Sequence, residues 1–194
     1  MTGPLSDVTV LDLTSVISGP LATSILADQG ARVIKVESPN GDSMRMAGAL
    51  KGGVSSLFSS INRNKESIAL DLRAPEAIEI INKIAARADI CIQNYRPGVV
   101  EKLGIGYEHL KKINPELIYA SISGVGAEGP YSGRRVYDPV IQAYAGFASA
   151  QTANGKPGLI KMMICDKVTS LTMAQAITAA LYDRKNTGKG QHVE

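Results

Sequence analysis

The sequence has no tryptophan, two phenylalanines and two histidines, and aromatic residues make up only 5% of its 194 residues. No apolar run approaches the ~20 residues that span a bilayer, and the amino terminus has no apolar signal core. The two cysteines, Cys91 and Cys165, belong to no CxxC pair, so neither a zinc site nor a disulfide framework is predicted. We therefore expect a cytoplasmic protein with reduced thiols and no membrane segment.

The charges nearly balance, with 21 lysines and arginines against 18 aspartates and glutamates and a formal net charge of +3. So small a surplus argues against a dedicated nucleic-acid binder, although a local cluster of cations can still bind a small polyanion. Apolar residues make up 44% and charged residues 20% of the chain, as in globular domains. A chain of this length can bury one complete core.

Apolar segments alternate with helical patterns through the first 123 residues. The apolar segments predict five strands, at residues 8–13, 31–36, 67–72, 89–93 and 117–123. Helices are predicted at residues 20–29, with proline first and glycine after the end, and from Pro75, where apolar residues recur at helical spacing. This alternation predicts an α/β fold with a Rossmann-like, doubly wound, mostly parallel sheet and helices on both faces.

The segment after residue 123 is glycine-rich, and its Gly124-x-Gly126-x-x-Gly129 spacing matches the dinucleotide fingerprint. That fingerprint requires a helix directly after the glycines and an acidic residue about 20 positions further on. Pro130 follows here instead, and no acidic residue stands at a second strand end, so a turn is favoured over a dinucleotide site. Further helices are predicted over 138–149 and from Asp166 to about residue 182, and a strand begins in the last residues.

One carboxylate stands where an apolar run gives way to a helical pattern. Asp166 follows the run at 160–165, and Leu171, Ile177 and Leu181 then recur on one helical face. Free backbone N–H groups and the helix dipole would keep such a carboxylate ionised and fix its direction. A helix N-cap and a catalytic nucleophile both need these properties. The local pattern favours the cap and leaves the nucleophile open.

Basic residues accompany most of the predicted strands. Ligands of open α/β sheets bind outside the carboxyl ends of the strands, so several of these cations are expected on one rim. The residues concerned are Arg45, Arg63, Lys65, Arg96, Lys102, Arg134 and Arg135. Such a rim is either a solvated charged edge or a site for a ligand with several phosphates.

Short motifs taken in order resemble those of family III CoA-transferases of the CaiB/BaiF type. They run through the whole chain and are specific together, although each alone is weak. The matching stretches are Gly19-Pro20, Gly30–Glu37, Gly41-Asp42-x-x-Arg45, Asn62-Arg63-x-Lys65, Ile68–Leu72, Asn94–Gly98, Leu103-Gly104, Asn114-Pro115, Ser123-Gly124, Gly129-Pro130, Asp166, Ala180-Leu181 and Thr187-Gly188-x-Gly190-Gln191.

The resemblance implies chemistry on a thioester of coenzyme A, without a metal. Asp166 stands in the place of the family's nucleophile. It would attack acyl-CoA to form a mixed anhydride, and the CoA thiolate would return to give an aspartyl-CoA thioester. A carboxylic acid would then collect the CoA through a second anhydride, so that one difficult exchange is split into easier steps.

The resemblance also implies which residues hold acyl-CoA. Val16 and Ile17 lie where the family's first loop lines the acyl-CoA site. The other expected binding residues are Arg45, Leu70, Asn94, Arg96, Gly98, Val99, Lys102 and Arg135. Two departures concern substrate and affinity, because position 17 is often polar in transferases and Ser38 stands where some members carry a CoA-binding arginine.

Two other functions are considered. The related α-methylacyl-CoA racemases use a histidine before an aspartate in the segment after Gly129-Pro130, and Tyr137 stands in the place of that histidine. Neither His109 nor His192 fills it, so Asp166 would lack a partner for two-base chemistry and a transferase is favoured. The other possibility is a non-catalytic CoA-binding module.

Members of the family are longer than this chain. The resemblance implies that residues 1–194 are the N-terminal part of the large CoA-binding domain, followed in relatives by a small domain and a C-terminal return to the sheet. We accordingly expect a fragment, a truncated product or one half of a split enzyme. The complete enzyme would be an interlocked homodimer.

Overall fold

A computed structural model describes residues 2–194. The strands are β1 (Thr9–Asp12), β2 (Arg32–Glu37), β3 (Leu50–Lys51), β4 (Val54–Ser55), β5 (Lys65–Ala69), β6 (Ile90–Gln93), β7 (Ile118–Ser121) and β8 (His192–Val193). The α-helices are α1 (Ser18–Asp28), α2 (Ser56–Ile61), α3 (Pro75–Ala85), α4 (Val99–Lys102), α5 (Tyr107–Ile113), α6 (Asp138–Tyr144), α7 (Phe147–Ala150) and α8 (Ile164–Thr187). A 3-10 turn at Ser43–Met46 follows β2.

Six of the strands form one sheet in the order β5-β2-β1-β6-β7-β8, and every neighbouring pair is parallel. Central strand β1 pairs with β2 on one side and β6 on the other, so that Val10 lies between Val33 and Ile90. β3 and β4 form a separate antiparallel hairpin. The strand order reverses between β1 and β6, which is the place where such sheets open a crevice for ligands. The predicted fold class is confirmed.

The helices cover both faces of the sheet, because successive strand residues point to opposite sides. On one face, Val10 belongs to a core that includes Leu26 of α1 and Ile177 of α8. On the other face, Leu11 belongs to a core that includes Ile81 of α3 and Leu110 of α5. The first and last long helices are thereby brought side by side, although about 140 residues separate them along the chain.

Several predicted boundaries move in the structure. The third strand of the central sheet in chain order is at Lys65–Ala69, not 67–72, because the Lys65 ammonium is buried against Asp12. The helix predicted over 138–149 is two helices, since Gly146 takes a φ of +82° that ends a helical run. The weakly patterned segment at 46–66 contains the end of the 3-10 turn, the hairpin, α2 and the start of β5.

Helix α8 begins two residues before Asp166 and continues to Thr187. Its core face is the predicted one except at the first position: Ile177 is buried and Leu181 partly buried, but Leu171 is 61% exposed while Ser170 and Met173 are buried. The first position differs because the Ser170 hydroxyl bonds the backbone of α1 and so faces inward. Neither α8 nor any other helix within residues 2–194 combines the length and apolar character needed to cross a membrane.

Candidate active site

Asp166 lies half-buried in the first turn of α8, whose N-cap position is occupied by Met163 without a side-chain cap bond. The backbone N–H of Asp166 is donated to Oδ2 of Asp138 at 3.0 Å. Asp138 is buried and opens α6. The interpretation of Asp166 as the N-cap is therefore wrong, because Met163 occupies that position and Asp166 lies inside the first turn of α8.

Gln142 holds the segment that leads into α8. Its Nε2 donates to Oδ1 of Asp138 at 2.5 Å, and its Oε1 accepts the backbone N–H of Ile160 at 2.8 Å. The same Nε2 lies 3.2 Å from the carbonyl oxygen of Met162. Because Gln142 is almost completely buried, these contacts fix the entry of the chain into α8 and hence the position of Asp166.

The amino termini of α1 and α8 meet at Asp166. The Ser170 hydroxyl lies 2.7 Å from the carbonyl oxygen of Ser18 and 2.6 Å from that of Asp166, so a single proton is shared between the two helices. Each terminus carries a partial positive charge, and among the described residues the N–H groups of Ser18 and Gly19 in α1 and of Cys165 in α8 have no hydrogen-bond partner. Two such termini around one carboxylate form a suitable environment for a negative charge that develops during a reaction.

The pKa of the Asp166 carboxyl is raised by burial and then by the neighbouring charge of Asp138, and the Ser18 side chain offsets this only partly. Sequence reasoning considered only the helix dipole, which acts in the opposite direction. A carboxylate with a raised pKa is more basic and therefore a better nucleophile once it is ionised. The pKa shift of Asp166 is thus opposite to the one that a helix terminus alone produces.

The loop between β1 and α1 approaches the site in an unusual conformation. Val16 has a φ of +71°, which costs a β-branched residue on the order of 1–3 kcal/mol. Its neighbour Ser15 is held by Asn94, which accepts the Ser15 N–H at 2.9 Å and donates to the Ser15 carbonyl at 2.8 Å. Ile17 is buried at the N-cap of α1. Val16, Ile17 and Asn94, all predicted site residues, are thus brought together across the sheet's switch point.

Two adjoining clefts open beside this loop at the carboxyl end of β2. One has a volume of about 240 Å³ and is lined by Leu13, Thr14, Ser15, Lys35, Val36, Glu37, Ser38, Gly41, Asp42, Ser43 and Tyr95. The other has a volume of about 300 Å³ and is lined by Glu37, Ser38, Pro39, Asn40, Gly41, Arg45, Ser67 and Ala69. Asp166 lines neither cleft. The loop around Val16 lies between the clefts and Asp166, because Thr14 and Ser15 line the first cleft and Ser18, at the start of α1, contacts α8.

Arg45 lines the second cleft, but its charge is already paired. Its guanidinium makes two bonds of 2.7 Å to Glu37 and stacks over Phe58 at 3.9 Å from the ring centre. Burial alone would raise the pKa of Glu37, but hydrogen bonds from Arg45, Ser67 and the Asp42 backbone lower it to about 2. Arg45 therefore shapes the cleft as one half of an ion pair, and its placement at this rim agrees with the sequence.

The predicted rim of cations is wrong for two of its members. Arg63 pairs with Asp28, at the end of α1 away from the site. Lys65 is buried, and its ammonium lies 3.1 Å from Oδ2 of Asp12 and 2.8 Å from the carbonyl oxygen of Pro20. Burial lowers the pKa of Lys65 to about 8, with Asp12 partly opposing the shift. Arg63 precedes β5 and Lys65 is its first residue, so neither is a free cation at the carboxyl end of that strand.

The remaining predicted binding residues lie on separate loops and helices. Gly98, with a φ of +82°, is the N-cap of α4 and Val99 its first residue, so that exposed Arg96 precedes this helix and exposed Lys102 ends it. Two further predicted residues lie elsewhere: Leu70 packs partly buried over the α3 side of the sheet, and exposed Arg135 precedes α6. Within residues 2–194, Arg96, Lys102 and Arg135 form neither ion pairs nor side-chain hydrogen bonds, which leaves these three charges available to a ligand.

Sequence reasoning missed Ser18, Asp138, Gln142 and Ser170, which orient Asp166 from three helices. The sequence Asp138-Pro139 is a recognisable signal for a helix start. It does not reveal that the Asp138 carboxylate bonds the backbone of Asp166, 28 residues away. One other expectation agrees with the structure: no described helix begins between Gly124 and Asp138, as a turn in place of a dinucleotide site requires. Cys165 is buried, and burial raises the pKa of its thiol.

Fold and site together define a doubly wound α/β protein with a carboxylate at two helix amino termini. The model of CoA-transferase family III matches residues 5–194. The chain belongs to that family, as the resemblance of its motifs predicted.

Individual relatives agree with this family. The acetyl-CoA:oxalate CoA-transferase of Acetobacter aceti is 43% identical over 99% of this chain and 50% of its own length. The human succinyl-CoA:glutarate CoA-transferase is 42% identical over 98% of this chain and 44% of its own. The crystal structure of a CaiB/BaiF family protein from Brucella suis superposes with a TM-score of 0.94 at 40% identity, covering 100% of this chain and 53% of that one. The chain spans about half the length of the curated relatives it matches.

Proposed function

We propose that the protein transfers CoA from an acyl-CoA donor to a carboxylic acid, with Asp166 as the covalent carrier. The observation that carries the proposal is the half-buried Asp166 carboxylate where the amino termini of α1 and α8 meet. The names of the relatives, which transfer CoA between small acids, support the class of reaction. Their donors and acceptors differ, so they leave the substrates of this protein open.

The proposed reaction has four steps that regenerate Asp166. Its carboxylate oxygen attacks the thioester carbonyl, and the C–S bond breaks to give a mixed anhydride and CoA thiolate. The thiolate attacks the aspartyl carbonyl and releases the donor acid, leaving an aspartyl-CoA thioester. The acceptor carboxylate then attacks that thioester to form a second anhydride and thiolate. Attack of the thiolate on the acceptor carbonyl gives the new acyl-CoA and the free Asp166 carboxylate.

The site supports each of these steps electrostatically. The attacking group must be ionised, and the negative charge that appears on the carbonyl oxygens must be stabilised. The N–H groups of Ser18 and Gly19 at the start of α1 can serve the second need, while the raised pKa of Asp166 strengthens its attack. Asp138 and Gln142 hold the backbone at Asp166 in place, so that little reorganisation of the helix start is required.

Acyl-CoA is proposed to bind across the switch point between β1 and β6. The clefts lined by Ser38 and Arg45 would receive part of the nucleotide, and the exposed cations Arg96, Lys102 and Arg135 would face its phosphates. Val16, Ile17 and Asn94 would line the path to Asp166, with Leu70, Gly98 and Val99 beside the nucleotide and pantetheine. No metal is needed for these steps.

We propose the wider setting from the family resemblance. Residues 1–194 would be the N-terminal part of a large CoA-binding domain, and the active enzyme an interlocked homodimer in the cytoplasm. Sedimentation of the full chain measures the number of subunits in the assembly. A monomer that transfers CoA at full rate would contradict the dimer.

Trapping of the thioester tests the function. The full chain is incubated with acyl-CoA and then hydroxylamine, which converts an aspartyl thioester to a hydroxamate that is read as a mass shift on the Asp166 peptide. We expect the shift in the wild type and its absence in Asp166→Ala. An unmodified peptide from a folded full chain would contradict the proposal.

The same preparations distinguish the two other functions. Thermal stabilisation by CoA that survives Asp166→Ala, without any exchange, would identify a CoA-binding module. Deuterium incorporation at the α-carbon of a 2-methylacyl-CoA, in the absence of an acceptor acid, would identify a racemase.

A further inference from the structure

The backbone of the loop from Thr14 to Ser18 is held by side chains from several separate elements. At Thr14, Asp12 Oδ1 accepts the N–H at 2.9 Å and Lys35 Nζ donates to the carbonyl at 2.8 Å. Asn94 bonds both backbone groups of Ser15, and Asp42 Oδ1 lies 3.4 Å from the Val16 nitrogen. Ser170 Oγ donates to the Ser18 carbonyl at 2.7 Å. A short surface loop rarely needs so many partners. The loop is therefore over-determined by its surroundings.

Val16 is the reason such restraint is needed. Its φ of +71° lies in the left-handed region, which a β-branched residue leaves unless its surroundings prevent it. Gly19, a few residues on, lets the helix start pack closely, since a Cβ there would lie 2.3 Å from the Thr14 Cβ. The loop thus turns sharply at Val16 and returns directly into α1, whose first residue contacts α8.

Lys35 and Asp42 form the ion pair beneath this turn. Nζ lies 3.1 Å from Oδ2, and both side chains are 1% exposed. Asp42 Oδ1 also accepts the Met44 N–H at 3.0 Å, so the same carboxylate ties the loop after β2 to the loop after β1. Burying two charges is unfavourable unless their polar atoms find partners. Lys35 Nζ and Asp42 Oδ1 bond the two loops, whereas Asp42 Oδ2 has Lys35 as its ion partner and makes no hydrogen bond among the described residues.

We propose that Lys35 and Asp42 are positioning residues for CoA transfer, which hold Val16 in its left-handed conformation so that the start of α1 is correctly placed against Asp166. This inference rests on the proposed function of Asp166. It assigns to the pair a role in the reaction and not only in the fold. Lys35 and Asp42 also line the first cleft, so this ion pair and the Val16 loop connect the wall of that cleft to the nucleophile.

The test compares Lys35→Met with the double variant Lys35→Met/Asp42→Asn. The double variant removes both buried charges, so it remains informative if the single variant does not fold. In either, Val16 should leave positive φ, as read from the backbone NMR shifts and the HN–Hα coupling of this 194-residue chain. In the full chain, kcat should fall about tenfold or more while KM changes less than about threefold, since a misplacement of 1 Å can cost about 10²-fold.

A rescue separates positioning from stability. Glycine tolerates positive φ without strain, so Val16→Gly added to the Lys35→Met variant should restore kcat by at least about threefold. Arg184→Met is the control, because it breaks a partly buried ion pair with Asp89 before β6, away from the loop. That variant should lower the Tm and keep kcat.

The inference is overturned if Val16 keeps its positive φ without the pair. It is also overturned if the pair variants resemble Arg184→Met, with a lower Tm and unchanged kcat, or if Val16→Gly restores nothing. A wild type without transferase activity would contradict the proposed function, and the NMR measurement would then still decide whether the pair holds Val16.

Discussion

The carboxylate of Asp138 accepts the backbone N–H of Asp166 at 3.0 Å from a different helix. The charge of Asp138 also lies close enough to the Asp166 carboxyl to help raise its pKa, second to burial. One residue therefore orients the first turn of α8 and adjusts the basicity of the candidate nucleophile. The buried amide of Gln142 fixes Asp138 in turn.

Asp138→Asn removes the charge and keeps one oxygen that can accept the Asp166 N–H, although its amide NH2 then faces the donor Nε2 of Gln142, so some stability is also lost. The pKa of Asp166 should fall toward its usual value, and Asp166 must be ionised to attack. The acidic limb of the kcat/KM profile should therefore move to lower pH. A limb that stays in place would show that Asp138 does not influence Asp166. Asp138→Ala also loses the hydrogen bonds to Asp166 and Gln142 and should cost about 1–3 kcal/mol of stability, because buried partners are left unsatisfied.

Asp166→Asn should stabilise the folded protein at neutral pH. The folded pKa of Asp166 lies above the unfolded value of 3.8 because burial and Asp138 disfavour its charge. Its ionisation therefore penalises the fold, fully so above the folded pKa, and the penalty disappears as the pH falls below the unfolded value. Urea unfolding at pH 7 and near pH 3 measures this difference. A gain of the same size at both pH values would contradict the assignment.

Glu37→Gln should destabilise the protein at pH 7 and make less difference in acid. The pKa of Glu37 falls from 4.5 to about 2 on folding, so its stabilisation is present above pH 4.5 and is lost as the pH falls to about 2. Glu66→Gln is the control, since its pair with Arg32 is 60% exposed on both sides and contributes little. Acid unfolding curves that remain parallel for wild type and Glu37→Gln would refute the prediction.

Arg96→Gln and Lys102→Gln should each raise the KM for acyl-CoA about threefold to tenfold, because each removes one exposed charge from the proposed phosphate site. The effect should shrink at high salt, since exposed charges are screened. Arg63→Gln provides the comparison, because Arg63 pairs with Asp28 away from the site. An equal rise in KM for all three variants would indicate a general effect of net charge instead of a defined site.

The fold could be predicted from the sequence because its signals are local. Alternating apolar strands and helices with terminal proline and glycine define a doubly wound sheet, and Pro75 marks the start of α3 where it was expected. Asp166 stood out for the same reason, as a lone carboxylate between an apolar run and a helix. The helix boundary nearby was less certain, and α8 begins two residues earlier at Ile164.

Contacts between distant segments could not be predicted. Lys35 and Lys65 look like solvated charges in the sequence, yet each is buried against a carboxylate from another segment. Leu171 appeared to face the core, but the bond from Ser170 to Ser18 turns it outward. Asp138 gave no sign that it would meet Asp166. Each of these cases depends on which helices lie side by side, and that is decided by the packing of the whole sheet.

Oxygen transfer tests the central claim most directly. The full chain turns over with an acyl-CoA donor and an acceptor acid whose carboxylate oxygens are ¹⁸O, and the Asp166 peptide is then weighed. If the acceptor forms an anhydride with Asp166, collapse of that anhydride leaves one ¹⁸O in the aspartate, and the label should appear there only when both substrates are present. An unlabelled Asp166 after many turnovers would show that CoA passes directly between the acids, and would contradict Asp166 as the covalent carrier.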